Sequence, residues 1–428
     1  MNLLSRILNR FRSRPSAVPP APRPQGPQSI ISGGDGGPLT IRAGFLIDGG
    51  GGLVRQDVRI SVKGGIIAGL RDAPAEPEDI ASEAIPDFSG CTVIPGLVDS
   101  HVHLTMSGSA DEEFRKRLRA AAYESIRRVI GDHVQDHLNH GVVAVRDGGG
   151  ARGYALRCAR AHPGPVRVAA AGRAWHREGR YGRLIGRPPG QGLGLAEAIR
   201  RDGEQVDHLK IVNSGLNSLT EYGKKTAPQF DLVEMSAAVK AAAERGLAVM
   251  VHANGAEPVR IAVTAGSRSI EHGFFMGQDN LARMAEKAVT WVPTVVTMSA
   301  YARIFEQTGR NPDVARRTLD HQLEQLALAR RLGVTVALGT DSGSPGVDHG
   351  AAVIEEMKLL IQAGYSLAEA IRCATVNGAP LAGGEFGRIE PGRPATFVIV
   401  DGRPSLLPES LQKVRAVFID GVKQFEAS

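Results

Sequence analysis

The sequence predicts an α/β protein: a (β/α)8 TIM-like barrel with a small β-sandwich domain formed by both chain ends. Between residues 94 and 390, short β-like apolar runs alternate with helix-like segments, which is typical of a parallel α/β barrel. Outside that range, both ends of the chain carry short alternating strands separated by turn residues. A doubly wound sheet is the alternative fold, and it is disfavoured because it would not gather five strand ends around one centre.

Residues 1–36 are predicted to form a disordered, basic and proline-rich tail. Of the formal net charge of +6, residues 1–30 supply five arginines and no acidic residue, so the rest of the chain is nearly neutral. A nucleic-acid partner is therefore not expected, because a dedicated binding surface should leave a basic footprint on the folded domain. Apolar residues at helical spacing within residues 3–11 also allow contact with a membrane surface, but a frayed tail is favoured.

The composition indicates a large globular protein. The chain has 428 residues, of which 42% are hydrophobic, and it can bury a core large enough for a barrel and a smaller unit. No apolar run approaches the roughly 18 residues that a transmembrane helix requires. The three cysteines are widely spaced and odd in number, which suits a reducing compartment, so the cytoplasm is expected.

The small β-sandwich domain is predicted over residues 37–93 plus 391–428. Its strands are expected at 41–48, 54–62, 65–70, 396–400, 414–419 and 422–425. Asp420-Gly421 has the residue types of a tight hairpin turn. The glycine clusters are interpreted as turns, because none is followed by the Gly-Lys-Ser/Thr of a phosphate-binding loop.

The barrel is predicted over residues 94–390. Helices are expected at 111–139, 232–245, 351–362 and 367–377, and strands at 142–146, 166–171 and 334–341, with further strands ending near Lys210, His252 and His272. In such a barrel the carboxyl ends of the strands form the rim where active sites lie.

Polar side chains with metal-ligand character close several of these apolar runs. His101 and His103 follow the run 92–98, and in a strand residues i and i+2 project from the same face. Such a pair alone is also typical of hydrogen-bonded core histidines, and Asp341 alone could cap a helix. Lys210 is the most informative member, because burying an ammonium at a strand end is costly unless the amine is paired or chemically altered.

Together these residues resemble the ligand set of the amidohydrolase superfamily of metal-dependent hydrolases, in the correct order along nearly all of the chain beyond residue 37. The matching positions are His101, His103, Lys210, His252, His272 and Asp341. The segment from His208 to His272 is most similar to the imidazolonepropionase-like and Xaa-Pro dipeptidase-like branch. The resemblance also implies the small β-sandwich domain.

The resemblance implies two divalent metal ions bridged by N6-carboxylated Lys210. Nitrogen and carboxylate ligands suit Zn²⁺, with Mn²⁺ or Fe²⁺ as alternatives. Two cations would lower the pKa of a shared water toward neutrality, which would give hydroxide as the nucleophile and polarise the substrate carbonyl. Asp341 would take the proton of that water and deliver it to the leaving nitrogen, and His272 is the next candidate for this role.

Substrate-binding residues are expected in two loops. Arginines crowd residues 173–187, where Arg177 and Arg180 could attract a carboxylate and His176 could donate to an oxyanion; a solvated basic loop is the alternative. Tyr222 is a second candidate oxyanion donor, although a packed loop aromatic is favoured. Relatives have Gly-Gly shortly after the lysine where this chain has residues 213–217, Asn-Ser-Gly-Leu-Asn, and this difference disfavours dipeptides as substrates.

Three functions follow from these observations. The first is a binuclear amidohydrolase that opens an amide, lactam or peptide-like C–N bond of a small anionic molecule. The second is a mononuclear imidazolonepropionase-like hydrolase or deaminase, disfavoured because such enzymes do not need the strand-4 lysine. The third is a catalytically silent scaffold, which an intact ligand set disfavours. A small-molecule substrate and a homo-oligomeric assembly are expected.

Overall fold

The computed structural model describes residues 38–72 and 86–427. The predicted tail over residues 1–36 lies outside these residues. The strands are β1 (Leu39–Leu46), β2 (Arg55–Lys63), β3 (Ile66–Asp72), β4 (Asp87–Pro95), β5 (Leu97–Val102), β6 (Val142–Asp147), β7 (Arg167–Ala170), β8 (Ala174–Trp175), β9 (Gly186–Arg187), β10 (Leu209–Val212), β11 (Val249–Ala253), β12 (Ser269–His272), β13 (Thr290–Val292), β14 (Phe397–Asp401), β15 (Val414–Ile419) and β16 (Val422–Glu426).

The helices lie almost entirely between β5 and β14, as the alternating pattern of the sequence predicts. They are α1 (Glu112–Ala120), α2 (Tyr123–Asn139), α3 (Tyr154–Ala161), α4 (Leu195–Arg201), α5 (Leu232–Ala243), α6 (Ala256–Thr264), α7 (Gln278–Glu286), α8 (Val296–Gln307), α9 (Asp313–Leu332), α10 (Ala352–Gln362) and α11 (Leu367–Cys373). None of these helices combines the length and the apolar character needed to cross a membrane.

The two chain ends meet in one sheet of seven strands, in the order β16-β15-β14-β4-β1-β2-β3. β4 joins the ends, because it pairs in parallel with β1 and antiparallel with β14. A sandwich of two sheets was expected here, whereas hydrogen bonds connect all seven strands. The alternating inward residues of both ends share one apolar cluster, in which the rings of Phe397 and Phe418 stack at 4.8 Å.

The middle of the chain forms two parallel sheets, β5-β6-β7 and β13-β12-β11-β10-β8-β9. Residues 336–342 connect them through isolated parallel bridges, Trp291 to Val336 and Val102 to Ser342. All residues of β5, β6, β10 and β11 are buried, as in parallel sheets covered on both faces. Within the described residues the hydrogen-bonded ladder does not close into one continuous barrel.

Two sequence predictions differ from the structure in this region. The expected helix over 111–139 is divided into α1 and α2, because Ala121 has extended backbone (ψ 151°) and its N–H closes α1 on Leu118. The expected strand over 334–341 is reduced to bridges: Asp341 has a left-handed backbone (φ 57°), which a regular strand does not accommodate. Both departures lie beside the strand ends that carry the candidate ligands.

The register of the parallel strands brings those ligands side by side. Val212, two residues after Lys210, pairs with His252, and Ala253 pairs with His272. The carboxyl ends of β10, β11 and β12 therefore lie together on one edge. His101 joins them through contacts of its ring with the ring of His272, at 4.9 Å between centroids.

Candidate metal centre

The two histidines at the end of β5 present their Nε2 atoms to one point. His101 is fully buried, and its Nδ1–H donates to Glu271 Oε2 at 2.8 Å, while Nε2 has no hydrogen-bond partner in the described part of the chain. His103 Nδ1–H donates to the carbonyl of Gly149 at 2.9 Å. Each bond fixes the tautomer that leaves the Nε2 lone pair free, as in metal-ligating histidines. Both Nε2 atoms lie 3.4 Å from Asp341 Oδ1.

Asp341 is held in place by both its backbone and its carboxylate. Its N–H donates to the carbonyl of His101 at 2.7 Å, and its Oδ2 accepts from Ser344 Oγ at 2.8 Å. Burial raises the pKa of this carboxyl above its ordinary value, although nearby His103 opposes the shift. One ligand atom each from His101, His103 and Asp341 lies within 4.8 Å of the others, which is a possible metal site.

Lys210 is the unusual member of the site. Its side chain is only 1% exposed, and no hydrogen-bond partner of Nζ occurs within residues 38–72 and 86–427. Burial lowers the pKa of this amine to about 8, with Glu271 acting in the opposite direction. An unpaired ammonium is costly at such a position, so the site favours a neutral or chemically modified amine.

His252 and His272 are the two remaining imidazoles of the site. Their ring centroids lie 4.6 Å apart. His272 Nδ1 hydrogen-bonds to Thr294 Oγ1 at 2.8 Å, and His252 Nε2–H donates to the carbonyl of Gly215 at 3.1 Å. Burial lowers the pKa of His252 to about 3 and that of His272 well below its usual value, so both rings are neutral. Each keeps one nitrogen that can bind a cation.

Sequence reasoning missed the buried groups that hold these ligands. Glu271 Oε1 accepts from Arg146 Nη2 at 2.6 Å and from Ser269 Oγ, so its charge is compensated. Asp99 accepts from the hydroxyl of Thr340 at 2.5 Å, next to Asp341. The available signal was a charged residue of each sign, Arg146 and Glu271, within two strands that the alternating pattern places in the interior, because such charges are rarely buried unless they are paired.

A cavity of about 280 Å³ opens over the centre. Besides the six candidate ligands, residues of α1, α8 and the segment after β8 line it; the sequence pointed to the loop over 173–187 but not to the lining residues of α1 and α8. Arg115 is only 8% exposed: its Nη1 donates to the carbonyl of Gly343 at 2.8 Å, while its Nε is buried without a hydrogen bond. Tyr181 lies against His252, with 5.3 Å between ring centroids.

The four substrate-binding residues expected from the sequence do not line this cavity. Arg177 donates to both carboxylate oxygens of Glu234, and Arg180 donates to the carbonyl of Ala227 at 3.1 Å. Tyr222 packs against Phe275 and beneath the guanidinium of Arg317, which agrees with the alternative interpretation as a packed loop aromatic. The side chains of these three residues are therefore engaged outside the cavity lining, and their predicted contact with the substrate has no support in the structure.

His176 has a different environment from the arginines beside it. Its side chain is buried, and Nδ1–H donates to the carbonyl of Arg177 at 2.9 Å. Its Nε2 has no partner among the residues that the structure describes. Within the described residues, His176 thus retains one unsatisfied nitrogen, and its side chain is not part of the cavity lining.

Comparison with known proteins supplies the wider context for this centre. The sequence model of the amidohydrolase family matches residues 92–423, which is most of the chain. Ochratoxinase from Aspergillus niger is 25% identical over 431 residues, covering 91% of this chain and 86% of that protein. Imidazolonepropionase from Cupriavidus pinatubonensis is 26% identical over 371 residues, covering 80% of this chain and 83% of that protein.

Among solved structures, a similar one is a Xaa-Pro dipeptidase crystallised with methionine in its active site. It is 28% identical in sequence and superposes with a TM-score of 0.75, covering 91% of this chain and 100% of the dipeptidase. The similarity therefore extends over both the parallel sheets and the sheet made by the chain ends.

Proposed function

Because the chain belongs to the amidohydrolase family and is therefore a hydrolase acting on carbon–nitrogen bonds, we propose that it opens an amide, lactam or dipeptide-like bond of a small anionic molecule. The observation that supports this proposal best is that all six candidate ligands line one cavity, where His101 Nε2 and Lys210 Nζ are buried without a hydrogen bond in the described part of the chain. We also propose that residues 94–390 form a (β/α)8 barrel, as in the family, and that 37–93 plus 391–428 form the small domain.

The residues present fit a pair of divalent cations. His101, His103, His252 and His272 line one cavity with Lys210, whose amine has no hydrogen-bond partner within the described residues, and Asp341 supplies a carboxylate. Carboxylation of Lys210 would remove its buried positive charge and provide two oxygens that cations can share. Nitrogen and oxygen ligands of this kind suit Zn²⁺, with Mn²⁺ or Fe²⁺ as alternatives. When bound, the cations would lower the pKa of a water and polarise the scissile carbonyl.

Asp341 is the proposed general base and acid. Its Oδ2 is fixed by Ser344, and the backbone of the residue is fixed by His101, so the carboxylate has little freedom to turn away. Burial raises the pKa of this carboxyl, which brings it closer to the range where a group can both take and return a proton. We propose that it receives the proton of the attacking water and passes it to the leaving nitrogen. His272 is the alternative for this step.

We propose Arg115 as the residue that selects an anionic substrate, in place of Arg177 and Arg180. Arg115 lines the cavity, and its buried Nε lacks a hydrogen bond, so a substrate carboxylate would satisfy it. Glu112, also in the lining, pairs with Arg119 at 2.6 Å and lies 3.8 Å from Arg115, so the positive charge is not fully neutralised. His176 remains the proposed oxyanion donor; in that role its Nε2, which has no partner among the described residues, must carry a proton in addition to the Nδ1–H that donates to Arg177.

The proposed substrate class is consistent with the reactions that the relatives' names indicate. A Xaa-Pro dipeptidase acts on a dipeptide, and a dipeptide carries a free carboxylate. The segment Asn213–Asn217 departs from the glycines expected after the lysine, and Asn217 lines the cavity, so we extend the class to other N-acylated acids.

One observation favours a mononuclear, imidazolonepropionase-like hydrolase as a second candidate. Within the described residues, only His101, His103 and Asp341 have ligand atoms close enough together to be grouped as one site. A single cation there would leave Lys210 without a role. A catalytically silent scaffold is disfavoured, because all six candidate ligands are present and buried or partly buried.

The experiment that tests the proposal combines metal analysis with hydrolysis. The protein would be purified with Zn²⁺ and bicarbonate, its metal content measured, and free amine or acid release followed for a panel of N-acyl amino acids, dipeptides and lactams. About two equivalents of metal and hydrolysis of acidic members support the binuclear function. One equivalent together with deamination or opening of a cyclic substrate supports the mononuclear alternative. Full metal loading without any hydrolysis of the panel would overturn the proposed substrate class.

A further inference from the structure

A second cavity, of about 690 Å³, lies at the opposite ends of the strands from the metal ligands. Residues at or just before the starts of β7, β10, β11 and β12 form its inner wall, and α2 and α3 contribute the outer part. Nothing in the proposed hydrolysis uses this space. Its volume falls within the roughly 300–1,000 Å³ that is typical of pockets for small molecules.

The lining of this cavity is strongly basic. Its cationic and imidazole side chains are Arg127, Arg146, Arg160, Arg167, Arg268, His162 and His208. Asp207 is the only carboxylate in the lining, and Arg160 already pairs with it at 2.8 Å. The guanidinium of Arg268 has no hydrogen-bond or ion-pair partner among the described residues, and that of Arg167 uses only its Nε, on the carbonyl of Ala382. Guanidinium groups left unpaired around one cavity attract an anion.

His208 provides an independent indication of a ligand. Its side chain is only 4% exposed, yet neither ring nitrogen makes a hydrogen bond of normal geometry in the part of the chain that the structure describes; the backbone of Asp147 makes only a weaker contact with the ring. Buried polar atoms are usually satisfied, because each unsatisfied one costs free energy. A bound polar group in the cavity would satisfy this imidazole.

The rest of the lining is apolar. Ile130, Val134, Leu138 and Leu381 line the cavity together with the charged groups. A fully hydrated inorganic ion would leave this surface uncovered, whereas an organic body would cover it. We propose that the cavity binds a small organic anion, whose carboxylate or phosphate head contacts Arg167, Arg268 and His208 and whose apolar body lies against α2.

A short chain of hydrogen bonds would connect such a ligand to the candidate metal centre. Arg146 lines the cavity, and its Nη2 donates to Glu271 Oε1 at 2.6 Å. Glu271 Oε2 accepts in turn from His101 Nδ1 at 2.8 Å. Two hydrogen bonds therefore separate a cavity wall residue from a candidate metal ligand, which gives the site a position suited to regulation.

The first test uses 8-anilinonaphthalene-1-sulfonate, a fluorescent organic anion, titrated into the metal-loaded full chain. The double variant Arg167→Gln/Arg268→Gln should raise the dissociation constant at least about 10-fold, because two charge-assisted contacts are lost. The matched control is Arg200→Gln/Arg201→Gln, which removes the same charge from α4, away from both cavities, and should leave binding unchanged. Equal affinity in the two double variants would overturn the proposal.

A second variant tests the site independently, in case the double arginine variant does not fold. His208→Phe keeps a ring of similar shape and removes both nitrogens, and it should also weaken binding while circular dichroism stays unchanged. Competition with hexanoate and with hexyl phosphate then distinguishes a carboxylate from a phosphate head on the same apolar chain. Displacement of the probe by either compound from the wild-type chain supports the proposal and identifies the head group. Failure of both to displace it contradicts an anion site.

Discussion

Glu271 Oε2 lies 2.8 Å from His101 Nδ1, so a carboxylate at the end of one strand fixes the imidazole tautomer at the end of another. The other oxygen of Glu271 accepts from Arg146 Nη2 at 2.6 Å, so a guanidinium lies against the buried carboxylate. The charged acceptor makes Nδ1 the protonated nitrogen and leaves Nε2 available to a cation. The geometry of the proposed centre therefore depends on a residue that does not itself face the cavity.

Replacing Glu271 by Gln should weaken metal binding about 10- to 100-fold, the usual effect of losing such a supporting partner. The amide oxygen would turn toward Arg146, so its NH2 group would face His101 Nδ1 and favour the wrong tautomer. Competition with a chromophoric chelator measures the affinity. Glu286→Gln, on the exposed side of α7, is the matched control and should bind metal like the wild type. Equal affinities in both variants would rule out the tautomer argument.

Lys210→Ala should bind fewer metal ions and lose most hydrolytic activity, because no other side chain in the site can become a bridging carboxylate. Added propionate should restore part of the activity by occupying the vacated space. Lys240→Ala, on the exposed face of α5, is the control. Metal content and initial rates would be measured together. If the Lys210 variant kept two equivalents of metal and its full rate, the bridging role would be wrong.

Asp341→Asn should preserve the fold and lower turnover by about 10²- to 10⁴-fold, the range that proton transfer typically contributes. The amide retains the acceptor oxygen for Ser344 but cannot hold the proton of the attacking water. Turnover is compared at equal metal content, with Asp279→Asn on α7 as a surface control. An unchanged rate would move the proton relay to another group, and His272 would be tested next.

The candidate ligands and their order could be predicted from the sequence, because each one closes a separate apolar run and the ends of parallel strands lie together. Contacts between loops that are far apart in the sequence could not be predicted. Arg177 and Arg180 looked suitable for a substrate carboxylate, but Arg177 pairs with Glu234, which lies 57 residues later and close to it in space. Arg115 lies on a helix whose periodic pattern concealed the break at Ala121. The local sequence pattern predicts helices and strands, whereas ion pairs between distant segments determine which charged side chains remain available to a substrate.

Arg115→Gln should raise the Michaelis constant for an acidic N-acyl substrate about 10-fold or more, with little change for its amide-blocked analogue. The reason is that a charge-assisted contact is stronger than a neutral one. Arg177→Gln is the matched control, since its guanidinium pairs with Glu234 outside the cavity. Steady-state kinetics on both substrates separate the effects. If Arg115→Gln changed the Michaelis constants of the acidic and the blocked substrate equally, Arg115 would not be the residue that selects the anion.

The last prediction concerns Glu356 on α10, a fully buried carboxyl whose oxygens accept from the backbone N–H groups of Val295 and Val296 at 3.0 and 2.7 Å. Burial raises the pKa of this group to about 8, against the opposing effect of these hydrogen bonds. Below about pH 4.5, both the folded and the unfolded chain hold the proton, so this group does not make the free energy of unfolding depend on pH. Between there and pH 8 only the folded chain retains it, so the free energy of unfolding should fall as pH rises. Glu356→Gln should flatten this slope, measured by urea unfolding between pH 5 and 8, while Glu286→Gln on the surface of α7 should not. A slope equal to that of the wild type in the Glu356 variant would show that the carboxylate is already ionised in the folded chain.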